Sequence, residues 1–337
     1  MPTYILGIES SCDDTSASVL CDGKVLSNLI ANQEIHKSFG GVVPELASRA
    51  HQQNIIPVVN QAIINANIDK NQLNAIAYTR GPGLLGSLLV GSSFAKSLSM
   101  GLNVPLIEVN HMQAHLLAHF IEDCGDEKPT FPFIGVTISG GHTQIVLVKN
   151  YFDMEIIGET LDDAIGETFD KCGKMLGLPY PAGPHIDKYS KNGDSKKYKF
   201  TKPKVGGLNY SFSGLKTGFM RYVQKEKKNN DNFVSDELEN LCASLQNTIV
   251  EILFEKIVLA IKQTGINKVV FGGGVSCNRG IIKKFKQNEN IENYMSYFPK
   301  FEYTTDNAAM IAMVGFLKYN NNDFSTLEKS AQARFKL

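Results

Sequence analysis

The chain has 337 residues, 43% of them hydrophobic and 20% charged, and its 34 basic and 34 acidic side chains give a formal net charge of zero. That length exceeds one ordinary core and suits two lobes of roughly 100–200 residues, while the charge balance excludes a histone-like, wholly electrostatic binder and leaves room for a local basic patch. Six cysteines, at 12, 21, 124, 172, 242 and 277, form no CxxC pair, against a zinc ribbon or a secreted disulfide framework.

The first residues enter a strand pattern at once, without the basic stretch and apolar run of a signal peptide, and no apolar segment approaches the roughly 20 residues that span a bilayer. The expectation is a cytoplasmic protein with no membrane partner. Strands are predicted at 4–9, 16–21 and 24–30, the last two joined at the turn signal Asp22-Gly23. A helix follows from Pro44 to about Ala66, then a strand at 75–79, the break Gly81-Pro-Gly83 and a small-residue helix from about Leu84 to Met100. A strand at 105–109 leads to Asn110, a candidate N-cap for a helix running from His111 to Ile121.

The plan then repeats. Residues 133–148 read as strand, small-polar turn and strand, as do 5–20, and the strand at 268–271 with Gly272-Gly-Gly274 and a helix from about Asn278 mirrors the strand, glycine break and helix at 75–100. Two matches in the same order predict an internal duplication. The boundary falls in the acidic, proline-bearing stretch 122–132, giving lobes over 1–125 and 126–337 with an insertion near 187–235, and the last helix is free to pack back on the N-terminal lobe. Residues 235–264 form a long amphipathic helix. The insertion carries seven lysines between Lys188 and Lys204, which suit either a solvated loop or a polyanion-contacting surface.

His111-Met-Gln-Ala-His115 places two imidazoles on one helical face, able to reach one metal ion or merely to pack or solvate. A zinc protease is disfavoured, because no glutamate lies between them. His119 continues that face one turn on and is either a third ligand or, as the favoured reading, a surface residue. Asp306, just before a small-residue helix, is either a helix cap or the carboxylate of a two-histidine, one-carboxylate metal set. The glycine turns at 81–83, 139–142 and 272–274 would expose backbone N–H groups to a phosphate. Asp163, Glu167, Asp170 and Asp187 form an acidic stretch; Asp170 and Asp187 could bind hydroxyls of a ribose or simply face solvent.

Together these residues resemble the tRNA threonylcarbamoyladenosine transferases of the TsaD (Gcp) family, within the actin-like, sugar kinase and Hsp70 superfamily. The resemblance rests on Ile8-Glu-Ser-Ser-Cys-Asp-Asp-Thr15, Gly40-Gly-Val-Val-Pro-Glu-Leu-Ala-Ser-Arg49, Gly81-Pro-Gly-Leu-Leu-Gly86, His111–His115, Ser139-Gly-Gly-His-Thr-Gln144, Phe169-Asp-Lys171, Tyr210-Ser-Phe-Ser-Gly-Leu-Lys216, Gly272-Gly-Gly-Val-Ser276 with Asn278, and Thr305-Asp-Asn307, in the family order over almost the whole chain.

The resemblance implies an α/β fold of two duplicated, actin-like (ribonuclease H-like) lobes with a ligand cleft between them. It implies transfer of a threonylcarbamoyl group from threonylcarbamoyl-AMP to N6 of adenosine 37 in tRNAs reading codons that start with A, releasing AMP. His111, His115 and Asp306 would hold one divalent metal, usually iron, with zinc or magnesium as substitutes in vitro. Thr137, Ile138, Ser139, Gly140, Gly141, Asp170, Gly183, Asp187 and Asn278 would hold the adenylate, and Asp13 and Asp14 stand where the family has a catalytic acid pair. Asp13 is the first candidate for a base; TsaB and TsaE are the expected partner proteins. The chain departs from the family at Asp14 (usually Glu), Gln113-Ala114 (often Glu-Gly), Ala182 (usually Gly, leaving the local backbone path open) and Cys277 (commonly Ala). The competing readings are an actin-like kinase or ATPase, a metalloprotease and a nucleotide-sensing scaffold.

Overall fold

The computed structural model describes residues 1–125 and 127–337, and the side chains of these apart from residues 37 and 38. The chain divides into two units, one of Met1–Pro129 with Pro299–Leu337 and one of Thr130–Phe298. Among the described residues no helix is long and apolar enough to cross a membrane.

The first unit is built on a sheet of β1 (Tyr4–Glu9), β2 (Thr15–Cys21), β3 (Lys24–Ala31), β4 (Leu73–Gly81) and β5 (Leu106–Asn110), ordered β3-β2-β1-β4-β5. β1 to β3 form an antiparallel meander and β4 and β5 add in parallel on the other side of β1. β1 and β4 carry apolar residues on both faces, as strands covered by helices must. α1 (Pro44–Asn65) opens on a proline at its first position and α2 (Leu85–Leu102) ends at Asn103 in the left-handed conformation. The core between them and the sheet holds Leu6, Ile8, Ile55, Val59, Ile76 and Tyr78. α3 (His111–Leu117) follows β5 directly and tightens into a 3₁₀ turn at Ala118–Phe120.

The second unit repeats the plan with β6 (Phe133–Ile138), β7 (Thr143–Val148), β8 (Met154–Glu159), β9 (Lys268–Gly272) and β10 (Met295–Tyr297), ordered β10-β9-β6-β7-β8. Strand for strand this is the order and direction of the first sheet, with β6 in the place of β1. Its helices are α4 (Ile165–Met175), α5 (Ala182–Ser190), α6 (Ser213–Asn229), α7 (Phe233–Thr264) and α8 (Arg279–Glu292). In α7, Leu241, Leu245, Ile249, Leu253 and Ile257 recur every four residues and are fully buried, so one stripe of this 32-residue helix forms the spine of the unit's core. Phe285 of α8 packs edge-on to Phe271 of β9 and Phe254 of α7, with ring centroids 4.7 and 5.2 Å away.

α9 (Ala308–Asn320) belongs to the first unit. Its buried run Ala-Ala-Met-Ile-Ala-Met-Val-Gly lies on the sheet so closely that a Cβ at Gly7 of β1 would stand 2.4 Å from the Ala308 carbonyl oxygen and 2.7 Å from the Ala312 nitrogen. The residues entering α9, Asp306 among them, are therefore fixed by backbone-to-backbone packing. Gly7→Ala is expected to destabilise the protein by about 1–3 kcal/mol, the usual range for overpacking, and to weaken divalent-metal binding because Asp306 moves with α9. Urea denaturation and a metal titration check both; an unchanged midpoint would contradict the close approach.

Candidate functional site

The candidate metal centre lies within the first unit. Asn110 ends β5 and caps α3, its Oδ1 accepting from the Met112 and Gln113 backbone N–H groups at 2.9 and 3.2 Å. The cap sets the first turn of α3, so His111 and His115, one turn apart, point the same way. Their Nε2 atoms are 3.2 Å apart, and Asp306 Oδ1 lies 3.3 Å from His111 Nε2 and 3.2 Å from His115 Nε2. Three donors bonded at about 2.1 Å to one ion in tetrahedral or octahedral geometry are about 3.0–3.4 Å from one another, so the spacing fits a shared cation. As a hydrogen-bonded triangle the three atoms need a proton on each imidazole Nε2, which makes His111 a cation when its Nδ1–H is also given to Glu9.

The residues behind the triad fit the same reading. His111 Nδ1–H donates to Glu9 Oε2 at 3.0 Å, which leaves the Nε2 lone pair for a metal. Glu9 closes β1, is fully buried, and also accepts from the Thr79 hydroxyl and the Ser11 backbone N–H. His115 is fully buried and its Nδ1 has no partner among the described residues, so packing and the contacts of its Nε2 orient that ring. Burial pulls the His111 pKa down, but the Glu9 and Asp306 carboxylates outweigh burial and hold it well above the usual imidazole value. Burial also pulls His115 down, and there it prevails. Asp306 and Glu9 are raised by burial, yet His111 brings both below the usual carboxylate range.

Asp13 and Asp14 occupy the turn between β1 and β2. The turn is stapled on both sides. The Cys12 carbonyl accepts from Ser87 Oγ at 2.9 Å and from His51 Nε2–H at 3.0 Å, while the Thr15 hydroxyl donates to His51 Nδ1 at 2.8 Å. Burial lowers the His51 pKa, in keeping with this neutral tautomer. Asp14 is pushed up to about 7, first by burial and then by the neighbouring charges of Asp13, Asp306 and Glu9.

The residues expected to hold the adenylate all lie in the second unit. Thr137 and Ile138 end β6 and are fully buried, with Thr137 Oγ1 unpartnered among the described residues, and Ser139, Gly140 and Gly141 form the following turn. Asp170 on α4 accepts from the Ala182 backbone N–H at 2.7 Å, and burial raises its pKa. Gly183 lies in the first turn of α5. Ala182, whose local path the sequence left open, is an ordinary first helical residue whose methyl packs on Gly173. Asn278 caps α8 through the Ile281 N–H at 3.1 Å and donates to Gln246 Oε1 at 2.8 Å. Asp187 pairs through Oδ2 with Arg279 Nε at 2.7 Å, while its buried Oδ1 has no partner among the described residues. Asp187, Ser190, Lys191, Gln246, Arg279 and Lys283 line a cavity of about 490 Å³.

Several readings change. His119, expected at the surface, is buried and lies outside the triad. The turn at 81–83, expected to face a phosphate, is filled by the chain itself: a Cβ at Gly83 would stand 2.3 Å from the Ser11 oxygen, and one at Gly81 would stand 1.9 Å from the Gln332 oxygen. Asp163 binds Lys171 and Lys216, and in the lysine-rich segment Lys197 and Lys202 pair with Glu237 and Glu255, which reduces the charge available to a polyanion. Glu9 and His51 were not singled out from sequence. The signals were an acid closing an otherwise apolar strand and a histidine in the buried stripe Ala47, His51, Ile55, Val59.

The His111 pKa turns into a pH dependence. Without metal, its cation stabilises the fold below the ordinary imidazole pKa, and that contribution is lost as pH rises through the raised folded value. A divalent ion displaces the same proton, so its affinity falls as pH drops. Near neutral pH, calorimetric titration should show about one proton released per ion bound; a heat independent of the buffer's ionisation enthalpy would contradict this.

The comparisons with known proteins agree with the geometry. The sequence model of the family described as "TsaD: tRNA N6-adenosine threonylcarbamoyltransferase" matches residues 24–313. Proteins named tRNA N6-adenosine threonylcarbamoyltransferase are 63% identical in Christiangramia forsetii (98% of each chain covered), 59% in Riemerella anatipestifer (99% of this chain and 98% of that one) and 48% in Thermosipho africanus (96% and 97%). Among solved structures, T. kodakarensis HypF superposes with a TM-score of 0.64 at 14% identity over 98% of this chain and 49% of that one. The Acidaminococcus fermentans (R)-2-hydroxyglutaryl-CoA dehydratase component A superposes with a TM-score of 0.54 at 14% identity over 94% and 99%. At such identities these two bear on the fold alone, which is α/β and actin-like. A matching family model, relatives sharing up to 63% of their residues over nearly the full length, and two imidazoles converging with a carboxylate lead to one conclusion: the chain belongs to the TsaD family of tRNA N6-adenosine threonylcarbamoyltransferases.

Proposed function

We propose that this transferase uses His111, His115 and Asp306 to hold one divalent ion, iron(II) by the two-histidine, one-carboxylate donor set, while the second unit holds the adenylate of threonylcarbamoyl-AMP. The observation that carries this reading is the convergence of three metal-type donors, 3.2–3.3 Å apart, with Glu9 directing the His111 tautomer. When bound, the ion supplies Lewis acidity for the charge that develops on the carbamoyl oxygen.

The chain's own side chains do the rest. In the turn Ser139-Gly140-Gly141 the Ser139 N–H is donated to the His142 carbonyl, and the N–H groups of Gly140 and Gly141 are the ones that would meet the phosphate, with Thr137 and Ile138 behind them. The Asp187 carboxylate suits a ribose hydroxyl, and the cavity this residue lines falls within the usual volume range of small-molecule sites. Asp170 and Asn278, which do not line that cavity, fix the starts of α5 and α8, and Gly183 lies in the first turn of α5. The mixed anhydride is already activated, so positioning carries much of the rate. N6 of adenosine 37 attacks the carbamoyl carbon, the anhydride C–O bond breaks, AMP leaves, and the N6 proton passes to a base. Of the acid pair, Asp14 is the one whose carboxyl is pushed up, chiefly by burial and then by Asp13, towards the range that suits a base near neutral pH, and an ion on Asp306 would remove that residue's share of the rise. The acceptor is tRNA, the partner proteins are TsaB and TsaE, and the compartment is the cytoplasm.

The test combines purified protein with TsaB, TsaE, tRNA and threonylcarbamoyl-AMP and measures the modified nucleoside by mass spectrometry. His111→Ala, His115→Ala and Asp306→Ala should each lose about 100-fold or more, and product at the wild-type rate from the histidine variants would remove the metal-centred reading. Asp14→Asn should lose about 10²–10⁴-fold, the usual weight of a general base. Because the base acts deprotonated, the wild-type rate should rise with pH through an acidic limb at or below about 7 that Asp14→Asn lacks.

A further inference from the structure

After α9 the chain runs back along the first unit without regular structure, and its residues 325–337 make a series of backbone contacts there. The Ser325 N–H donates to the Leu106 carbonyl at 2.7 Å and Ser325 Oγ accepts from the Glu108 N–H at 2.7 Å, which pins the segment to the start of β5. Further on, the Gln332 N–H donates to the Arg80 carbonyl at 2.9 Å, and the Ala333 carbonyl accepts from the Gly83 N–H at 3.2 Å. Arg80 is the hub: its Nε donates to the Ser330 carbonyl at 2.9 Å, its Nη1 to both Glu108 carboxylate oxygens at 3.0 Å, and its guanidinium lies 4.6 Å from the Phe335 ring centroid. Gly81, at φ +154°, leaves the space that the Gln332 carbonyl fills.

The segment ends on Asn110, whose amide has two faces. Its Oδ1 caps α3, and its Nδ2 donates to the Lys336 carbonyl at 3.1 Å and the Phe335 carbonyl at 3.4 Å. The amide therefore cannot rotate without losing bonds on both sides, and the residue it precedes is His111. We propose that residues 330–337 are a positioning element of the metal centre: through Asn110 they lock the cap of α3, and so the direction of the His111 and His115 imidazoles, although none of them is a metal ligand. The proposal rests on the triad reading above. Asn110 is a positioning residue for the known transfer, not a catalytic one.

Co²⁺ tests it, because its visible absorption reports ligand geometry directly. Asn110→Ser keeps an acceptor for the α3 cap and removes both donations to the segment. A chain lacking residues 332–337 removes the segment itself. Each should bind Co²⁺ about 10-fold or more weakly, the usual size of an outer-shell effect, with a shifted absorption band. Asn110→Ser should show faster amide exchange over 111–117 with little change in the urea midpoint. If the shortened chain does not fold, Phe335→Ala takes its place beside Asn110→Ser. Wild-type affinity and spectrum in these variants would overturn the proposal while leaving the triad standing. An intact chain that binds no Co²⁺, matching a His111→Ala control, would remove the triad reading and this proposal together.

Discussion

Two imidazole nitrogens and a carboxylate oxygen held 3.2–3.3 Å apart in a buried site are the constraint around which the first unit is organised. Such atoms repel unless positive charge lies among them, and the folded chain accepts that cost at three places. Asn110 fixes the helix that carries both histidines, Glu9 fixes the ring of one, and the contact of α9 with β1 at Gly7 delivers Asp306 from about two hundred residues further along. Glu9 and Asp306 then surround His111 with enough negative potential to keep a proton on it when no metal is bound. A site that binds a proton this strongly is suited to a divalent ion, since the same field acts on twice the charge.

The duplicated topology places two chemically different turns at one position. The β1–β2 turn and the β6–β7 turn hold the same place in their sheets. In the first unit the strand ends in Glu9 and the turn carries Asp13 and Asp14; in the second it ends in Ile138 and the turn is Ser139-Gly140-Gly141. Carboxylates at that position suit a cation and a departing proton and would repel a phosphate. Bare backbone N–H groups do the opposite. The two units thus differ in side-chain charge at one topological position, acidic in the first and uncharged in the second.

What was legible in the sequence followed from periodicity and local chemistry. The 3.6-residue repeat was enough to put His111 and His115 on one face, and Asn110 at the end of a strand was enough to start that helix. The joining of Asp306 to them was not legible from spacing, because it depends on α9 packing on β1; it came from the family resemblance. His51 was hidden because a histidine within an apolar stripe looks like filler until its two hydrogen bonds to the acid turn are seen. Residues 325–337 gave no periodic signal, since their order comes from backbone bonds to β4, β5 and Arg80.

The glycine turn at 81–83 carries the sharpest lesson. A glycine break between a strand and a helix says that something approaches the backbone closely, and a phosphate is the familiar candidate. Here the approaching groups are the Gln332 and Ser11 carbonyl oxygens, so the turn is a joint within the protein. A carbonyl oxygen and a phosphate oxygen both seek an N–H and both need the missing Cβ, so the sequence pattern cannot tell them apart. Charge at the neighbouring positions can. Arg80 beside the turn is paired with Glu108, its Nε donates to Ser330 and its guanidinium lies over the Phe335 ring, so this cation is engaged within the protein. The turn at 139–141 has no such plug at Gly140 or Gly141, where an added Cβ would meet open space. Of the two, only the second leaves space at its glycines.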